Sequence, residues 1–168
     1  IRNTNAIIHV LRCFENDNIT HVDGSIDPVR DKGIIDTELQ LKDLETIENR
    51  LAKTQKQAVV GGDKQAKRAV EILLQYKTVL EQGLSARTVE LEKEDRKLVA
   101  DLNLLTDKPV LYVCNVDEKS AVTGNAYTEA VKAAIAGEKA EMLVVAAATE
   151  ADIAELETYE EKQMFLED

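Results

Sequence analysis

The chain has 168 residues, enough for one domain of ordinary size with an appendage. Hydrophobic residues make up 44% and charged residues 32%, while the scarcity of aromatics (no Trp, two Phe, four Tyr) demands an aliphatic core and leaves few platforms for stacking single-stranded bases. The formal charge of −11 argues against global attraction to nucleic acid or to an anionic membrane, and no apolar run approaches the ~20 residues needed to cross a bilayer, so no membrane partner is expected.

Residues Ala6 to Phe14 form a short continuous apolar run with β-branched members, the pattern of a strand buried on both faces. A connector containing Gly24, Pro28 and Gly33 is expected to follow, to about Ile35. From Asp36 the pattern turns helical, with Thr37 and Gln40 at capping-box spacing and Leu44, Ile47 and Leu51 recurring every three or four residues. Gly61-Gly62 interrupts it. A second helix over about 63–82 carries Ala69, Ile72, Leu73, Tyr76, Val79 and Leu80 on one stripe, with Gly83 as its stop. Two amphipathic helices joined by a short glycine turn bury their stripes against each other, which predicts an antiparallel hairpin. A third helix is expected over about 93–105.

The C-terminal part alternates. Pro109 to Cys114 reads as a second buried strand, Tyr127 to Ala136 as a helix ending at Gly137, Glu141 to Ala147 as a third strand, and another helix begins near Glu150. Strands alternating with helices call for a parallel sheet, so the fold class is α/β with a helical insertion between the first two strands. The boundaries follow: 1–35 for the first strand and connector, 36–105 for the insertion, 106–168 for the rest of the sheet. Cys13 and Cys114 both sit in apolar runs. Two buried thiols without a signal peptide predict a reducing, cytoplasmic setting. Ile1 without a Met, and Leu166-Glu167-Asp168 at a helical pattern, suggest that both ends were cut from a longer chain.

Ligands of an open parallel sheet bind beyond the carboxyl ends of its strands, which directs attention to Asn115-Val116-Asp117-Glu118 and Ala146-Ala147-Ala148-Thr149. An amide donates and accepts, a carboxylate three residues on accepts from base N–H groups, and a backbone N–H from the next loop serves an exocyclic base atom. The plainer reading is a polar turn that caps the next element. His9 reads as a satisfied core histidine, and His21 with Asp17 and Asp23 matches no strong metal-ligand spacing, so neither a catalytic nor a metal-binding set is assigned. The acidic run 155–161 reads as an exposed helix face.

Four runs, RCFENDNITHVDGSIDPVRD, IIDTELQLKDLETIENRL, KPVLYVCNVDE and AAATEADIAELETYE, resemble the corresponding stretches of the YchF subfamily of Obg-like P-loop NTPases, in the right order and over most of the chain. The resemblance implies a Ras-like P-loop NTPase parallel sheet, an inserted antiparallel α-helical coiled coil, a TGS domain beyond Asp168, and slow hydrolysis of ATP or GTP with Mg²⁺ coupled to ribosome association. It places Asn115 to Glu118 where related GTPases carry Asn-Lys-x-Asp. Asn115, Val116 and Glu118, with backbone from Ala147 and Ala148, are then the base-binding set. Glu118 in place of Asp disturbs guanine selectivity, and Val116 replaces the Lys whose stem lies along the base, so ATP is at least as plausible as GTP. The chain contains neither G-x-x-x-x-G-K-[ST] nor Asp-x-x-Gly, so alone it should hydrolyse nothing and bind nucleotide very weakly or not at all.

Between Arg50 and Arg68 stand Arg50, Lys53, Lys56, Lys64, Lys67 and Arg68 against the single acid Asp63. Such a basic tip suits the RNA backbone, and the resemblance points it at ribosomal RNA; a merely solvated helix face is the alternative. The rival class for the whole chain is a non-enzymatic helical-hairpin module that binds protein or RNA. Because the family's P-loop strand would flank it, the strand at 6–14 is also expected to present an open edge for self-association.

Overall fold

The computed structural model describes residues 3–15 and 25–147. His21, Asp17, Asp23, Ala148, the helix expected from Glu150 and the acidic run at 155–161 lie outside them. In chain order the elements are strand β1 (Ile7–Arg12), helices α1 (Pro28–Gly61), α2 (Lys64–Glu81) and α3 (Lys93–Val99), strand β2 (Val110–Asn115), helix α4 (Ala126–Ala134) and strand β3 (Glu141–Val145). The chain divides into two compact units, one of residues 1–7 and 33–109, the other of 8–32 and 110–168.

The first unit is helical. The α1 and α2 stripes meet in one core of Ile47, Leu51, Ile72, Leu73, Tyr76 and Leu80, joined by Val99, Leu102 and Leu104 from α3 and the turn after it. Antiparallel pairing is fixed at its edge, where Gln40 donates to the Gly83 carbonyl at 3.2 Å and Lys77 meets Glu48 at 3.7 Å. The Asp63 carboxylate accepts from the Gln65 N–H at 2.9 Å and starts α2. At the other end, Gly83 (φ 76°) and Leu84 donate to the carbonyls of Leu80 and Val79, a Schellman stop that needs a left-handed residue. Beneath the hairpin, fully buried Asp43 accepts from the N–H groups of Leu105 and Thr106 and from the Thr106 hydroxyl, at 2.7–2.8 Å.

The other unit is built on the sheet, in order β1-β2-β3. β2 and β3 pair in parallel with Leu111 opposite Glu141 and Asn115 opposite Val145. β1 joins β2 from Ile7 N–H to Pro109 carbonyl (2.9 Å) through Cys13 N–H to Asn115 carbonyl (2.8 Å), the same offset at both ends and hence also parallel. Leu11, Cys13, Tyr112 and Cys114 pack on one face against Val131 of α4 and Ile135, the residue that caps its C-terminus.

Three expectations are corrected. α1 begins at Pro28 and not near Asp36, because Asp27 accepts from the Arg30 N–H at 3.0 Å and Pro28 suits a first helical turn. Thr37 is consequently mid-helix and bonds back to the Gly33 carbonyl, so the Thr37/Gln40 capping box does not form. The third helix stops at Val99 and passes through single 3₁₀ turns, since Asn103 adopts φ 50°. β1 is not buried on both faces: Ile8 and Val10 are 65% and 62% exposed, and no described element covers them.

Candidate functional site

At the carboxyl end of β2, Asn115 ties the strand ends together. Its carbonyl accepts from Cys13 beyond β1, and its side-chain Oδ1 accepts from the Ala147 N–H beyond β3 at 3.1 Å. The next residue continues the lacing, with the Val116 N–H donating to the Val145 carbonyl at 2.8 Å. The Asn115 amide therefore divides its two capacities. The oxygen is spent inside the protein, and the Nδ2 group has no partner among the described residues.

The Val116 side chain is buried in the sheet core with Cys114 and Val131. Capping of the following turn falls to Asp117, which accepts from the Ser120 N–H, and not to Asn115 or Glu118. The carboxylate of exposed Glu118 has no partner among the described residues. Ala147 is exposed, but its N–H is taken by Asn115. Of two cavities outlined by the described residues, neither is lined by Asn115 or Glu118.

Two supports beside this edge were not legible in the spacing. Asn125 caps α4 with a reciprocal box to Thr128 and also donates to the Cys13 carbonyl at 2.7 Å, fastening the end of β1. Gly124 precedes it at φ 72°, where an added Cβ would stand 2.6 Å from the Thr128 hydroxyl. Below, Lys32 and Glu138 pair at 2.9 Å, with Glu138 also accepting from the Tyr112 hydroxyl and the Lys32 ammonium 5.3 Å from the Tyr112 ring centre. His9 packs its ring on Tyr112 at 5.6 Å. Cys13 and Cys114 are buried and free; their shared thiol hydrogen bond, helped by burial, holds Cys13 protonated well above the usual thiol range.

On the helical unit, the six basic residues separate into two groups. Arg50 forms a two-pronged pair with Asp101 (2.6 and 3.2 Å), and Arg68 one with Asp95 (2.6 and 3.2 Å) while also meeting Glu71. Lys53, Lys56, Lys64 and Lys67 are exposed and make no ion pair among the described residues. Val59 and Val60, between them, are 84% and 88% exposed. Among the described residues there is no group of three or more His, Cys, Asp or Glu placed to hold a metal, and no helix long and apolar enough to cross a membrane.

A parallel sheet laced at its carboxyl edge, with a helical hairpin inserted between its first two strands, defines an α/β domain with a helical insertion. The chain is 48% identical over 170 residues to the "Ribosome-binding ATPase YchF" of Bacillus subtilis, covering all of this chain and 46% of that protein. It is 45% identical over 168 residues to the protein of the same description from Haemophilus influenzae, again 46% of that protein's length. Against "Obg-like ATPase 1" of Oryza sativa it is 40% identical over 119 residues, 71% of this chain and 30% of the relative. The solved structure of the Schizosaccharomyces pombe YchF GTPase superposes with a TM-score of 0.83 at 29% identity, covering 97% of this chain and 45% of that one. No family model matches. The chain belongs to the YchF and Obg-like ATPase family, and it spans about half the length of the relatives it matches.

Proposed function

We propose that this chain supplies the base-reading edge and the RNA-facing hairpin of a cytoplasmic, ribosome-associated nucleotide switch that uses ATP or GTP with Mg²⁺. The observation that carries the reading is the 3.1 Å bond from Ala147 N–H to Asn115 Oδ1. It fixes the amide so that its donor side stays available, three residues before an exposed carboxylate that has no partner among the described residues. An N–H donor suits an acceptor on the purine rim, and the Glu118 carboxylate suits base N–H or amino groups. Ala147 then acts by orienting Asn115, which leaves Ala148 as the backbone contact to the base. Val116 acts from beneath, through its place in the core.

Phosphate binding and hydrolysis require groups that these residues do not contain, so the edge contributes selectivity and part of the affinity. The test is a chimera in which this chain replaces the matching stretch of the Bacillus subtilis relative. Glu118→Asp in that chimera should shift preference toward guanine nucleotides by about tenfold, the worth of one well-placed hydrogen bond to a charged group. An unchanged ratio of ATP to GTP affinity contradicts the reading.

A further inference from the structure

The helical unit contains a cavity of about 290 Å³, bounded by α2, α3 and the segment that leads into β2. Its lining includes Tyr76, Arg96, Val99, Asn103, Leu104 and Asp107. Tyr76 is 99% buried, yet its hydroxyl has no hydrogen-bond partner among the described residues. The hydroxyl oxygen is not sealed from solvent but opens on this cavity, where a water or a ligand that displaces the water can bond to it. Burial pushes the phenol up to about 12, with the Asp107 charge adding to the rise and the Arg96 charge opposing it. Both charges therefore act on the hydroxyl, which stays protonated at neutral pH and can donate as well as accept.

Arg96 and Asp107 carry opposite charges on the same cavity and make no ion pair with each other or with any other described residue. A guanidinium recognises a carboxylate through two parallel N–H bonds, whereas a carboxylate recognises an ammonium. Val99 and Leu104 provide aliphatic wall beside them. The volume lies just under the roughly 300–1,000 Å³ range of sites for drug-sized molecules, which selects a ligand of about ten heavy atoms.

We propose that this cavity binds a free aliphatic α-amino acid, with its carboxylate on Arg96, its ammonium on Asp107, the Tyr76 hydroxyl bonded to the carboxylate, and its side chain against Val99 and Leu104. The site belongs to the helical unit alone and does not depend on the nucleotide reading.

The experiment titrates the isotope-labelled 168-residue chain with L-leucine, with leucinamide, which lacks the carboxylate, and with isocaproate, which lacks the ammonium. Amide NMR signals are followed throughout. Leucine should shift Arg96, Asn103, Asp107 and Tyr76 saturably, and both analogues should bind at least about tenfold more weakly, since each forfeits a charged hydrogen bond. Arg96→Gln and Asp107→Asn should reproduce those losses for leucine, and Tyr76→Phe, which removes one oxygen, should weaken it about fivefold with the rest of the spectrum retained. Unmoved signals, or equal shifts from all three compounds on the unaltered chain, overturn the proposal without recourse to any variant.

Discussion

Asp43 shows how much one side chain can organise. It sits fully buried on α1 and accepts three hydrogen bonds from Leu105 and Thr106, more than sixty residues away. Thr106 in turn accepts from the Ala86 N–H at 2.8 Å. Replacing Asp43 by Ala leaves two buried N–H donors unsatisfied. It should cost about 3 kcal/mol in chemical denaturation, against at most ~1 kcal/mol for Glu45→Ala at an exposed position of the same helix; equal costs would contradict the arrangement. A second residue-scale effect depends on pH. Hydrogen bonding from Arg50 holds the Asp101 carboxyl below its ordinary range. A carboxyl depressed in the folded state contributes stability above its unfolded value, near about 3.9, and loses it as pH falls through the lower folded value. Asp101→Asn should therefore lower Tm at neutral pH, and its deficit should close below about pH 4. A deficit constant across that range contradicts the pairing.

At the scale of elements, the hairpin was readable and its start was not. The stripe of Ile72, Leu73, Tyr76 and Leu80 announced α2 within a residue at each end, because periodic burial leaves its mark on composition. The first eight residues of α1 went unseen, since Pro28 and Gly33 discourage helix in isolation while the Asp27 cap and the contacts around Lys32 overrule them. β1 misled for the opposite reason. Its continuous apolar letters are those of a strand covered on both sides, whereas Ile8 and Val10 have no cover among the described residues. The basic tip also has a finer structure than its charge count. Arg50 and Arg68 are engaged by Asp101 and Asp95, whereas Lys53, Lys56, Lys64 and Lys67 are exposed and make no ion pair among the described residues; under the proposed function these four would face the RNA. The triple change Lys53, Lys56 and Lys64→Glu should abolish most co-sedimentation with ribosomes, while Arg50→Gln should leave pelleting nearly intact and lower thermal stability instead. Equal effects of the two on pelleting would undo that division of labour.

For the molecule as a whole, the α/β class and the insertion between the first two strands were legible because alternation of strand and helix patterns survives errors at boundaries. The candidate site was legible only as an address. The strand end named Asn115, yet nothing in the letters disclosed that Ala147 would occupy the amide oxygen, that Val116 would turn into the core, or that Asn125 would reach back to Cys13. Those contacts depend on the three-strand register, which single-sequence patterns do not encode. The account's central claim is that the fixed amide of Asn115 donates to a purine. It is tested most directly by the affinity of a fluorescent adenine nucleotide for the Bacillus subtilis chimera carrying Asn115→Ala, with Asp117→Ala as the control for a disturbed turn. The account predicts a loss of about tenfold or more for the first and little change for the second; equal affinities in the two variants would contradict it.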